Sequence, residues 1–287
     1  MMTIREYKRV ESLEEAWELN QKKANRVIGG MIWLKMSRGN VGTAIDISGL
    51  GLDQIEETED AFEIGAMVTL RQLEEHPGLA AYTDGAMRES VRHIVGVQLR
   101  NLATVEGSIY GRFGFSDVLT MFLAMDTEVE LYKAGRMPLM EFAKQIGGRD
   151  ILVKLIVHKD KAVYHYQSVR NTQTDFPVLT CAAAKRADGA YRFSIGARPG
   201  RAVLFEASAE TIQALIEEKQ KAETKADADA DTRESQDKTQ TGKKAACLAK
   251  WIRDQVQASS NMRGSAEYRK HLIGVLIKRA VRVLEEC

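Results

Sequence analysis

Val27-Ile28-Gly29-Gly30-Met31-Ile32-Trp33-Leu34 is the first of two stretches on which the reading of this chain turns; the second is Asn101-Leu102-Ala103-Thr104-Val105-Glu106-Gly107-Ser108-Ile109. In each, glycine lets the backbone turn with no side chain in the way and leaves bare amide N–H groups where an anion can approach. Two such turns suit a dinucleotide, which carries a diphosphate in its middle. Each turn taken alone is equally well explained as a tight connection between a strand and a helix. Neither is the G-x-G-x-x-G fingerprint of the doubly wound dinucleotide folds. The nearest candidate, Gly49-Leu50-Gly51, has Gln54 where the third glycine belongs.

Working outward, Ser12-Leu13-Glu14-Glu15 has the spacing of a capping box, and Leu13, Ala16 and Trp17 follow at helical intervals. Arg26 to Ile28 reads as a short strand running into Gly29-Gly30, and Thr43 to Ile47 as a second strand, a small β-α-β unit. A second unit begins at Phe62-Glu63-Ile64-Gly65. Thr69 caps a helix that Pro77-Gly78 breaks, and a longer helix is expected from about Leu79 to Ile94. Ser116 and Asp117 open a helix through Ala124, and Thr127 to Tyr132 reads as a strand. From Ile151 the period becomes two, which predicts successive antiparallel strands at Ile151–Val157, Ala162–Val169, Leu179–Lys185 and Tyr191–Ala197. Helices are expected over 210–221, 245–257 and 266–285. Residues 217–244 hold no large apolar side chain and read as a mobile, charged insertion or a frayed helix end.

Composition narrows the function. The chain has 287 residues, 44% hydrophobic and 28% charged, and a formal net charge of +1, so no electrostatic argument favours nucleic acid or an anionic membrane. No apolar run is long enough to span a bilayer, and Met1 to Glu15 carries no signal-peptide core, so a cytoplasmic location is expected. Three cysteines (Cys181, Cys247, Cys287) are too few for a four-thiolate iron–sulfur cluster, and the five histidines show no metal-ligand spacing. Electrons handled by such a chain would pass through an organic cofactor or a partner.

Four landmarks occur in order: Ile28-Gly29-Gly30; Ile64-Gly65-Ala66-Met67-Val68-Thr69-Leu70; the run from Val97-Gln98-Leu99-Arg100-Asn101 through Gly107-Ser108-Ile109 to Asp117 and Leu123-Ala124-Met125-Asp126; and Arg263-Gly264-Ser265-Ala266-Glu267-Tyr268-Arg269-Lys270-His271-Leu272. Together they resemble the flavoprotein (medium) subunit of the molybdenum hydroxylases, the family of xanthine dehydrogenase and aerobic carbon monoxide dehydrogenase, over nearly the whole chain. The resemblance implies an α+β fold of the PCMH type: two α/β subdomains, 1–55 and 56–158, that clasp FAD, then a C-terminal antiparallel sheet with helices, 159–287. It implies an electron-transfer role between a 2Fe–2S small subunit, fed by a molybdopterin large subunit, and NAD or another acceptor.

Carried over by position, the resemblance puts Val27, Ile28, Gly29, Gly30, Met31 and Ile32 at the diphosphate. It puts Thr104, Gly107 and Ser108 in a second phosphate-contacting loop. Asp117 would accept a hydrogen bond from a flavin-side hydroxyl, a role compatible with a plain helix N-terminal position. Ile151 and Leu152 would lie near the isoalloxazine or adenine, and Tyr166 falls where some relatives carry a lysine. No residue is expected as a catalytic acid or base.

The chain also departs from the pattern. Met31-Ile32 replaces hydroxyl or polar residues after the first Gly-Gly, and Glu106 stands where a glycine is usual, a carboxylate that would repel a diphosphate unless turned away. These departures support a second reading, a flavin-less scaffold subunit of the same kind of complex. A third is a stand-alone flavin reductase or peptidoglycan-precursor reductase of the same flavin-binding superfamily. Tyr110, Phe113 and Phe115 read as a ring-facing wall or as ordinary loop packing, and Trp33 as core. Arg88, Arg92 and Arg100 read as solvated, and Arg269, Lys270 and Lys278 as one charged face open to a partner.

Overall fold

The computed structural model describes residues 2–226 and 239–286. The chain opens with β1 (Met2–Arg9), α1 (Leu13–Asn20), β2 (Arg26–Ile28) and β3 (Gly39–Asp46), and the three strands form a parallel sheet in the order β1-β3-β2. Ser12 caps α1 by accepting from the Glu15 amide at 3.1 Å, as its spacing predicts. β1 was not foreseen. Its residues are mostly exposed, so no apolar alternation marks it; its pairing with β3 makes it a strand. Ala16, Ile45 and Ile47 form a small core with Val10 and Ile151.

A second sheet follows, built from β4 (Ile55–Glu57), β5 (Ala61–Gly65), six helices, β6 (Thr127–Leu131), β7 (Gly135–Pro138), α8 (Leu139–Lys144) and β8 (Leu152–His158) in the order β4-β5-β8-β6-β7. The six are α2 (Leu70–Glu75), α3 (Pro77–Tyr82), α4 (Ala86–Val91), α5 (Val97–Arg100), α6 (Val105–Tyr110) and α7 (Asp117–Ala124). Thr69 and Gln72 make a reciprocal capping box on α2. The single helix expected from Leu79 to Ile94 is instead α3 and α4. Asp84 and Gly85 between them take left-handed φ values of 47° and 77°, which no helix tolerates. β8 pairs with β5 and β6, so it closes this sheet rather than starting the next.

The third sheet is antiparallel, β12-β11-β10-β9, from β9 (Ala162–Arg170), β10 (Pro177–Arg186), β11 (Tyr191–Gly196) and β12 (Val203–Ala207). Tyr164, Tyr166, Ala182 and Ala184 face the core of the second sheet and its helices. Cys181, Ala183, Phe193 and Ile195 pack on α10 (Gln240–Gln255) and α11 (Ala266–Glu286). Both faces are thus covered, which is why β10 is buried from Pro177 through Ala184. The architecture is α+β.

One charge reading is corrected and one is extended. The stretch 217–244, read as a mobile insertion or a frayed helix end, carries helix at both edges: α9 (Ala209–Ala226) enters it and α10 begins inside it, while 227–238 lies outside the described residues. Its Ala, Glu, Lys and Gln are strong helix formers, so the absence of large apolar groups did not preclude helix. Arg269 is not on an open face. It is 1% exposed and its guanidinium donates to the carbonyls of Val178, Ser259 and Gly264 and to Asn261 Oδ1, tying the start of α11 to β10.

Candidate functional site

Val27 to Ile32, the end of β2 and the turn after it, come up against Thr104, Gly107 and Ser108, at the start of α6, and with Asp117 they line a cleft of about 820 Å³. That volume lies within the roughly 300–1,000 Å³ usual for small-molecule sites. Ile151 and Leu152 line a separate cavity of about 240 Å³ together with Asn20, Asn25 and Arg149. The two cavities share Arg26, Val27, Glu106 and Tyr110. Tyr166 lines neither; it is buried behind Asp117.

The two loops meet backbone to backbone. A Cβ on Gly30 would lie 1.7 Å from the Leu102 carbonyl oxygen, and one on Gly29 would lie 2.5 Å from Thr104 Oγ1. Glycine is therefore required by close approach. Met31 follows with a left-handed φ of 61°, a conformation that costs a residue with a side chain on the order of 1–3 kcal/mol and tends to persist at functional sites. Val95, a β-branched residue with φ of 51°, also lines the cleft. Among the described residues, no acceptor meets the amides of Gly30, Met31 or Ile32. Three N–H groups on a cleft wall are thus left for a ligand or water.

The second loop is different. Thr104 caps α6 by accepting from the Gly107 amide at 3.2 Å. The Val105 and Glu106 amides donate to Val68 and Ala66, and the Ser108 amide and hydroxyl both donate to the Thr104 carbonyl. The expected phosphate donors of this loop are already in use.

Asp117 is the first residue of α7, whose N-cap Ser116 accepts from the Leu119 amide at 3.0 Å. Its Oδ1 accepts from the Tyr166 hydroxyl and from Arg170 Nη2, each at 2.5 Å. Burial raises the Asp117 carboxyl above its ordinary value, against the pull of Arg170 and the Tyr166 hydroxyl. Arg170 was missed in the sequence, although strand alternation places Tyr166, Ser168 and Arg170 on one face of β9.

An aromatic wall closes one side of the cleft. Trp33 stands 5.9, 5.3 and 5.5 Å from Phe113, Phe115 and Phe176, and Phe113 stacks on Phe115 at 5.2 Å. Trp33 is 41% exposed, so it is cleft lining rather than core. Arg100, read as solvated, is 5% exposed and grips Glu74 with two nitrogens, at 2.8 and 3.2 Å.

Glu106 stands between the two cavities. Its Oε2 lies 3.5 Å from the position a Cβ on Gly29 would take, and among the described residues no hydrogen bond or ion pair holds it. Burial alone pushes its pKa up to about 7.

These donors fit FAD. The unspent amides suit a diphosphate, Arg26 brings positive charge to the junction of the cavities, and the aromatic wall suits a flat ring. Among the described residues, no group of His, Cys, Asp and Glu could hold a metal, and no helix is long and apolar enough to cross a membrane.

Residues 2–159 match the FAD binding domain in molybdopterin dehydrogenase. Among solved structures, the chain is similar to carbon monoxide dehydrogenase from Hydrogenophaga pseudoflava lacking the Mo-pyranopterin moiety of its cofactor. That match has 20% identity over 98% of this chain and 97% of that one, with a TM-score of 0.78. Quinoline 2-oxidoreductase from Pseudomonas putida 86 matches at 17% identity over 98% and 96%, with a TM-score of 0.77. Reconstituted CO dehydrogenase from Oligotropha carboxidovorans matches at 20% over 98% and 97%, with a TM-score of 0.77. No protein of curated function matches the chain in sequence. At these identities the structural likeness shows the fold, whereas the domain match spans more than half of the chain and carries the assignment. The chain belongs to the family of FAD-binding domains in molybdopterin dehydrogenases, oxidoreductases whose flavin is FAD.

Proposed function

We propose that this chain is the FAD-carrying electron-transfer subunit of a cytoplasmic molybdenum-hydroxylase-type complex. Its partners would be a small subunit with 2Fe–2S clusters and a large molybdopterin subunit at which substrate is oxidised. The observation that carries the reading is the set of unspent amides at Gly30, Met31 and Ile32 on the wall of a dinucleotide-sized cleft. Bound FAD would supply the redox chemistry, receiving electrons from the clusters and passing them to NAD or another acceptor.

The chain's own residues bind, orient and dry the site. The first-loop amides hold the diphosphate, and Arg26 adds charge at the same point. Val27, Ile28 and Gly29 shape that turn, and Thr104, Gly107 and Ser108 support it from the opposite side. Both side-chain donors to Asp117 meet Oδ1, which leaves Oδ2 for a hydroxyl of the flavin's side arm. Tyr166 and Arg170 fix that carboxylate in place. Trp33, Phe113, Phe115 and Phe176 give the ring an apolar face and exclude water. Ile151 and Leu152 flank the nucleoside end in the smaller cavity, so the diphosphate passes the junction beside Glu106.

The full chain, incubated with excess FAD and desalted, should keep a flavin absorbance spectrum. A colourless product even after co-expression with both partner subunits would contradict the reading. The unpaired Glu106 beside Gly29 favours a second reading, a flavin-less scaffold, for which that colourless product is the expected result.

A further inference from the structure

We propose that Glu106 gates flavin loading: the diphosphate of FAD enters the junction between the two cavities only when this carboxyl carries its proton. The proposal rests on the FAD reading above and adds a condition to it.

Position is the first argument. Glu106 lines both cavities, and one carboxylate oxygen overhangs the Gly29 turn, 3.5 Å from where a side-chain carbon there would sit. It is one of four residues, with Arg26, Val27 and Tyr110, that a dinucleotide spanning both cavities would pass. An ionised carboxylate at that point meets a diphosphate that is ionised at every working pH, and like charges in a partly dehydrated cleft repel strongly. A neutral carboxylic acid at the same point is a donor and binds the diphosphate.

Isolation is the second. Arg26 faces the junction from β2, but its guanidinium donates to the carbonyls of Lys23 and Asn25. Arg149, from the segment before β8, donates to the carbonyls of Asn20, Lys22 and Asn25. Asp150 accepts from the amides of Lys133, Ala134 and Ile151. Tyr110, on α6 itself, keeps its proton because burial raises its pKa. Across the larger cleft, Asp117 pairs with Arg170, and Asp175 with Arg263. None of these forms an ion pair or hydrogen bond with Glu106. Burial is the cause that lifts its pKa to about 7, so the proton is exchanged where a modest pH change matters.

The sign follows. FAD selects the protonated form, so above the free-protein pKa each binding event takes up one proton from solvent. The dissociation constant of FAD, followed by flavin fluorescence with the full chain from about pH 5.5 to about pH 8.5, should stay level at the acid end and weaken about tenfold per pH unit above about 7. Glu106→Gln, which keeps shape and a donor, should bind with an affinity level across the range. Proton uptake by the wild type, measured calorimetrically in buffers of different ionisation enthalpy, should vanish in that variant. Parallel pH profiles for the two proteins, both binding FAD, overturn the gate and leave the FAD reading standing. No binding by either protein at any pH overturns both.

Discussion

The two glycine loops touch each other on the wall of one cleft and treat their amides in opposite ways. Among the described residues, Gly30, Met31 and Ile32 leave three N–H groups without an acceptor. From Val105 to Ser108 every amide is already paired, with Val68, Ala66 and two atoms of Thr104. Glycine differs in purpose as well. At Gly30 it permits backbone contact with the Leu102 carbonyl; at Gly107 the nearest atom to an added Cβ is the Thr104 hydroxyl, 3.3 Å away. A glycine-bearing turn is therefore not by itself an anion site. The destination of each N–H decides, and that is a property of the folded neighbourhood.

The sharpest way to break this comparison is Gly30→Val. Its Cβ meets backbone atoms of Leu102 and Ala103 rather than a side chain that could swing away, so we expect a loss of about 3 kcal/mol or more in urea unfolding and no retained flavin. A cost within about 1 kcal/mol would mean that the loops are not held in contact.

Next in size is a pH effect at the junction. The Glu106 pKa is raised to about 7, so the stability tied to its neutral form is fully present below the ordinary glutamate range and is lost as pH rises through 7. Glu106→Gln should raise Tm by roughly a few degrees at about pH 8 and leave it nearly unchanged at about pH 5. An equal shift at both values would remove titration as the cause.

Thr104→Ala comes third. Loss of the α6 cap should cost about 1 kcal/mol and free the Gly107 amide. If the second loop is support rather than ligand, flavin affinity should fall by no more than this loss of order explains. A gain in affinity would show the freed amide reaching the diphosphate. Smallest is Gly107→Ala, expected within about 0.5 kcal/mol of wild type in urea unfolding, because the helix-propensity gain offsets a slight push on Thr104.

Much of the fold was legible because its signals are local. Ser12, Thr69 and Ser116 cap helices where their sequence spacing puts them. The period-two runs became strands. What escaped depends on partners distant in the chain. β1 is a strand by pairing with β3, not by pattern. Arg100 and Arg269 look like any surface arginine until Glu74, or Val178 and Asn261, arrive from elsewhere. Asp84-Gly85, a turn-forming pair within the 79–94 run, takes the left-handed conformation that splits the expected helix. In the site, the motif residues were readable as a set, but nothing local tells which loop keeps its amides free, or that Tyr166 reaches Asp117 rather than a ligand.

The most direct measurement is hydrogen–deuterium exchange of the backbone amides, with and without FAD, resolved at both loops. We expect Gly30, Met31 and Ile32 to exchange rapidly alone and become protected with FAD, while Gly107 and Ser108 are protected in both states. Protection gained at Gly107 and Ser108, with none at Gly30 to Ile32, would contradict the assignment of the first loop as the diphosphate site.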